Sequence, residues 1–116
     1  MRPDDAIVDY AIGLEALLLF GIHAELGYRF ALRGATVLTW ERPWMQSDKA
    51  EVFSGLRDLY DVRSRIVHGR KVDRSKLAHI RSFGELALRD IWWWYYEKRN
   101  RGLDATVSMI DKRILA

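Results

Sequence analysis

Apolar residues recur along this chain at intervals of three and four, the spacing that keeps them on one face of a helix. Ile7, Tyr10, Ala11, Leu14, Leu17 and Leu18 form such a stripe on a first helix, which Asp4 or Asp5 can cap and which is expected to run to about Phe20. Gly21 marks a turn. A second helix is expected from about Ala24 to Trp40, with Leu26, Phe30, Val37 and Leu38 inward. Arg42-Pro43 ends it, because proline disfavours helical backbone in the residue before it, and 41–46 is then a short loop. Ser47 or Asp48 opens a third helix with Phe53, Leu56, Leu59, Tyr60, Ile66 and Val67 on its apolar stripe. Gly69 sits where a terminating glycine belongs. Asp73 can cap a fourth helix, through Leu77, Ile80, Phe83, Leu86, Leu88 and Ile91 to about Arg99. After Gly102, Asp104 is expected to cap a last helix carrying Val107, Ile110 and Leu115. No stretch alternates with the two-residue period of a strand. The pattern predicts an all-α antiparallel bundle of four long helices plus a short C-terminal helix.

Composition narrows the class. With 116 residues, 49% hydrophobic and 30% charged, the chain is the size of one domain and has enough apolar material for a core. Residues 1–116 are therefore read as one domain. The cysteine count is 0, which removes disulfides, thiol chemistry and cysteine-zinc sites. The longest apolar stretch, Ala16 to Ile22, is far shorter than a membrane span, and no basic-then-apolar leader opens the sequence. The expectation is a cytoplasmic protein with no membrane partner.

Charge is uneven. The formal net charge of +3 divides into −3 over residues 1–58 and +6 over residues 59–116. Between Arg63 and Arg81 stand seven bases (Arg63, Arg65, Arg70, Lys71, Arg74, Lys76 and Arg81) against the single acid Asp73. Such a run is either a solvated helix face or a surface for phosphates, and arginine's planar fork suits the second use.

Most catalytic patterns are missing. No P-loop, GxGxxG, GxSxG or HExxH occurs, and His23, His68 and His79 lack metal-ligand spacing, so neither metal nor cofactor is expected. The segment Asp61-Val62-Arg63-Ser64-Arg65-Ile66-Val67-His68-Gly69 is different. Arg63 falls on the apolar stripe of the third helix, where a charge must snorkel or find a partner in Asp58, Asp61 or Glu15. His68 follows five residues later, about 140° around a continuous helix. The two side chains therefore share a site only if the helix loosens at Gly69 or if they converge from two chains. A guanidinium and an imidazole beside a basic run suit metal-free RNA cleavage. Histidine moves the proton of a ribose 2′-hydroxyl, and arginine stabilises charge on the phosphorus oxygens. The same residues also suit a plain helix end, since an imidazolium favours a C-terminus.

Arg63-Ser64-Arg65-Ile66-Val67-His68-Gly69 resembles the R-polar-x3-H signature of HEPN domains. The wider string Leu59 to Gly69 is similar to the version in the Apea-like HEPN branch. Leu14-Glu15-Ala16-Leu17-Leu18 and Glu25 to Arg33 resemble that branch as well, in the same order. The resemblance implies an all-α bundle that forms a homodimer and acts as a metal-independent endoribonuclease, with two R-x4-6-H motifs in one composite site. Arg63 would then stabilise the scissile phosphate, His68 would act as general acid or base, and Ser64 would orient the site. RNA phosphates would be held by Arg65, Arg70, Lys71 and Arg74, and the products would carry 2′,3′-cyclic phosphate and 5′-hydroxyl ends. Toxin–antitoxin and phage-defence roles are implied too, with an antitoxin or regulatory protein as partner. Apea-like domains often end longer proteins, so the chain can be a fragment of one. Arg70 stands where one toxin subgroup carries a tyrosine, which counts against regulation by modification there. The alternative is a HEPN module without catalysis, serving dimerisation or the binding of a nucleotide or protein.

Trp92-Trp93-Trp94-Tyr95-Tyr96, followed by Lys98, Arg99 and Arg101, suits either a stacking platform for single-stranded RNA or core packing and a dimer contact. Trp40 and Trp44 are expected to cover one end of the bundle.

Overall fold

The computed structural model describes residues 3–41 and 44–116. The expected ending of the second helix at Arg42-Pro43 therefore lies outside the described residues. Five helices account for most of the rest: α1 (Pro3–Leu18), α2 (Leu26–Trp40), α3 (Lys49–Val67), α4 (Leu77–Glu97) and α5 (Leu103–Leu115). No strand occurs among the described residues, and the fold is an all-α helical bundle.

Local chemistry sets the helix ends. Asp48 Oδ1 accepts from the Ala50 amide at 2.9 Å and starts α3. Asp73 Oδ1 accepts from both the amide and the hydroxyl of Ser75, at 3.0 and 2.6 Å, and starts a single 3₁₀ turn leading into α4. The Ser75 hydroxyl, more than any other group, holds the Asp73 carboxyl below its usual range. α3 ends in a six-residue wrap: the Gly69 amide donates to the Ile66 carbonyl and the Arg70 amide to the Arg65 carbonyl. That closure needs the left-handed backbone of Gly69, at φ +68°.

Some ends move from their expected places. Asp4 and Asp5 lie in the first turn of α1, where their charge opposes the positive end of the helix dipole. α2 begins only at Leu26, because Glu25 takes a left-handed conformation at φ 55°. α5 starts straight after Gly102, which puts Asp104 inside its first turn.

The core is built from Ile7, Ala11, Leu14 and Leu18 of α1, Phe30 and Ala31 of α2, Leu56 and Leu59 of α3, Ile91 of α4 and Ile110 of α5. Leu26, Val67, Leu86 and Leu115, expected inward by spacing, are exposed. Trp40 rests on Trp94 at 5.6 Å between centroids, and Trp44 donates its indole N–H to Asp90 at 2.6 Å while packing edge-on to Phe83.

One buried charge ties the bundle together. Arg33 of α2 is 4% exposed. Its Nε and Nη2 donate to the two carboxylate oxygens of Asp111 in α5, at 3.0 and 2.9 Å. Its Nη1 donates to the carbonyls of Leu18 and Phe20, both at 2.9 Å, and so caps the C-terminal end of α1. Tyr95 of α4 donates its hydroxyl to the Leu17 carbonyl beside this cluster.

Candidate functional site

Arg63 and His68 leave α3 in different directions. Arg63 turns toward α1 and meets Glu15: Nε lies 2.9 Å from Oε1, and Nη2 donates to Oε2 at 3.3 Å. The shorter contact lies off the N–H axis, and its two atoms are closed to solvent without a well-aligned hydrogen bond. Of the partners the spacing allowed, Glu15 is the one used. An ionised partner is what a charge on the inner stripe needs, since both side chains are largely covered, at 25% and 21% exposure.

His68 is exposed at the C-terminal cap of α3. Its Nδ1 lies 2.7 Å from the Ser64 carbonyl oxygen, one turn back. A carbonyl only accepts, so Nδ1 carries the proton and the neutral ring keeps its lone pair on Nε2. The Ser64 hydroxyl is 3.5 Å from the same nitrogen, too far to contribute much. Ser64 therefore orients the imidazole through its backbone rather than its side chain. The His68 amide also donates to this carbonyl, at 3.0 Å.

The basic run divides by partner. Arg65 pairs with Asp61 at 3.0 Å on the surface of α3, and Arg74 reaches Asp4 at the start of α1, at 2.9 and 3.0 Å. Arg70, Lys71, Lys76 and Arg81 are exposed and have no carboxylate partner among the described residues. Exposed pairs such as Arg65–Asp61 contribute only about 0–1 kcal/mol, so a phosphate can displace the carboxylate. A groove of about 460 Å³ runs beside Ser64, lined by Gly27, Arg57, Asp58, Tyr60 and Asp61. Arg65 and Lys71 border a second cleft, of about 260 Å³, together with Asp58 and Asp73.

The sequence placed Arg63, Ser64 and His68 correctly on one helix and offered Glu15 as a partner. It missed the Ser64 carbonyl, which no side-chain motif reports. It also missed Arg33 and Asp111, whose 78-residue separation leaves no local pattern.

No cluster of three or more histidine, aspartate or glutamate side chains that could hold a metal ion occurs among the described residues. No helix among them is long and apolar enough to cross a membrane. Compared with models of known protein families, with curated proteins and with solved structures, the chain matches none.

Proposed function

We propose that this protein is a metal-independent endoribonuclease of the HEPN type, with Arg63 and His68 as its reacting pair. The observation that carries the reading is the anchoring of His68: Nδ1–H is held at 2.7 Å by the Ser64 carbonyl, and Nε2 is left as the basic nitrogen of an exposed ring. Such a nitrogen can take the proton of a ribose 2′-hydroxyl as that oxygen attacks phosphorus. The 5′-oxygen then leaves with a proton returned by an imidazolium, and the phosphate closes to a 2′,3′-cyclic ester. Arg63 supplies charge to the phosphorus oxygens, and Glu15 fixes its direction. Because the two side chains diverge within one chain, the reading places the phosphate between two copies, Arg63 from one and His68 from the other. Arg70 and Lys71, with Arg65 and Arg74 released from their surface pairs, hold the flanking phosphates. A toxin or phage-defence effector checked by an antitoxin or regulatory protein is the setting this activity fits.

The Glu15–Arg63 pair favours a second reading, a non-catalytic module, because a neutralised arginine offers less to a phosphate. Cleavage of an end-labelled RNA pool in EDTA separates the two. Wild type is expected to cut and leave cyclic-phosphate ends, while His68→Ala and Arg63→Ala, each shown to be folded, are expected to lose at least ~100-fold in rate. Equal cutting by all three, or none by wild type, would refute the nuclease reading.

A further inference from the structure

A groove lies away from His68, between α1 and α4. It encloses about 520 Å³ and is lined by Tyr10, Gly13, Ala16, Leu17, Leu88 and Trp92, with Trp93 alongside and Glu85 and Arg89 on its rim. Trp92 and Trp93 are 47% and 51% exposed, more than a folded chain ordinarily leaves of such side chains without a use for them.

The aromatic geometry says what fits. Trp92 and Tyr96 stack with an interplanar angle of 12° and centroids 5.1 Å apart, and the Arg99 guanidinium lies 4.1 Å from the Tyr96 centroid. Trp92, Tyr96 and Arg99 thus form one column that runs past the C-terminal end of α4. Tyr96 covers one face of Trp92 and takes no part in the groove, so the groove receives the other face. Trp93 stands nearly perpendicular to both rings, at 81° and 89°, and makes a side wall. On α1 the opposite wall carries Tyr10, Gly13, Ala16 and Leu17, of which Ala16 is small and exposed. Glu85 offers an acceptor to the edge of a flat ring, and Arg89, whose Nε donates to Asp90 at 3.0 Å, keeps Nη1 free to donate. Arg99 ends the column, while Lys98 lies over the Trp94 ring at 4.2 Å and Arg101 reaches Met109 Sδ at 3.2 Å.

We infer that this groove is a nucleobase slot, in which one base of a single-stranded RNA stacks on Trp92 and extends the Trp92–Tyr96–Arg99 column. An apolar slot bounded by an exposed indole, with Arg89 on its rim and a stacked Trp92–Tyr96–Arg99 column beside it, suits base stacking. RNA as the source of the base rests on the nuclease reading; the slot itself does not.

The test uses the full chain carrying His68→Ala, in EDTA, with fluorescein-labelled U12 and A12 oligoribonucleotides, and with AMP and UMP as mononucleotide probes. Binding is followed by anisotropy and by quenching of tryptophan emission. Trp92→Ala, and separately Ala16→Phe, which fills the slot from an exposed helix position, are expected to weaken oligonucleotide binding about 5- to 150-fold and to abolish the quenching. Circular dichroism confirms that both variants are folded. Unchanged oligonucleotide affinity in both overturns the inference. AMP binding as tightly as A12 overturns the strand as the source of the base. Conversion of a larger assembly to monomers by Trp92→Ala, with RNA affinity unchanged, overturns it in favour of a contact between copies. Trp92-dependent binding by a protein whose wild type does not cut RNA would leave the slot standing and remove the nuclease.

Discussion

Replacing Arg33 with methionine keeps most of the side chain's length and removes only its four hydrogen bonds. The cost follows from what each partner does next. The Leu18 carbonyl is buried with Arg33 over it, so it loses its only donor and stays dry, at about 1–3 kcal/mol. The Phe20 carbonyl and the Asp111 carboxylate, 46% exposed, are partly open and regain water, adding about 1 kcal/mol between them. The expected loss is roughly 2–4 kcal/mol, a fall in Tm of about 8–16 °C at about 4 °C per kcal/mol for a chain of this length. Asp111→Ala leaves the nearly buried guanidinium with two carbonyls and no counter-charge, so it should cost about 3–5 kcal/mol. Urea unfolding followed by circular dichroism at 222 nm measures both variants through the midpoint at constant m. An Arg33→Met loss below ~1 kcal/mol would refute the need for a donor at the Leu18 carbonyl, and an Asp111→Ala loss below ~1 kcal/mol would refute the carboxylate's role as counter-charge.

Gly34→Ala tests packing against propensity. Alanine favours the helix by about 1 kcal/mol, but its Cβ would stand 2.6 Å from Cδ1 of the fully buried Leu56. A lower urea midpoint is expected, and a higher one would mean that α2 and α3 are less tightly apposed. Gly69→Ala meets no neighbour within 4 Å, so only the strain of φ +68° is felt; about 1 kcal/mol should be lost. Under the nuclease reading it should also slow cleavage by shifting the end of α3 that carries His68. Burial pushes the Tyr95 phenol above its ordinary range. Above about pH 10 the unfolded chain gives up this proton while the native protein keeps it, so stability should fall with rising pH, at up to about 1.4 kcal/mol per pH unit. Tyr95→Phe should flatten that part of the alkaline slope in urea titrations, and an unchanged slope would place the phenol in contact with water.

Helical period carried the sequence a long way. Ile7, Leu14, Phe30, Leu56 and Ile91 were legible as core from spacing alone, and Asp48 and Asp73 as caps from their side-chain oxygens. What failed was whatever depended on backbone or on distant partners. Glu25 adopts a left-handed conformation that glutamate rarely prefers, so nothing local delays α2 to Leu26. Leu26, Val67 and Leu115 sit at helix ends, where the stripe runs past the neighbour it would pack on. In the candidate site, Arg63's need for a partner was readable from its place on an apolar stripe. Choosing Glu15 over Asp58 or Asp61 took the packing of α1 on α3. The slot beside Trp92 was unreadable as a shape, because five successive aromatics point all round a helix and only the fold decides which stay outside.

The Arg33 cluster also sets an order of events during synthesis. Its guanidinium sits between residues 18, 20 and 111, so a chain emerging from the ribosome can align α1 and α2 long before the carboxylate exists. Until Asp111 has cleared the exit tunnel, that charge has only carbonyls to face. α5 therefore completes the junction of α1 and α2 from 78 residues beyond Arg33.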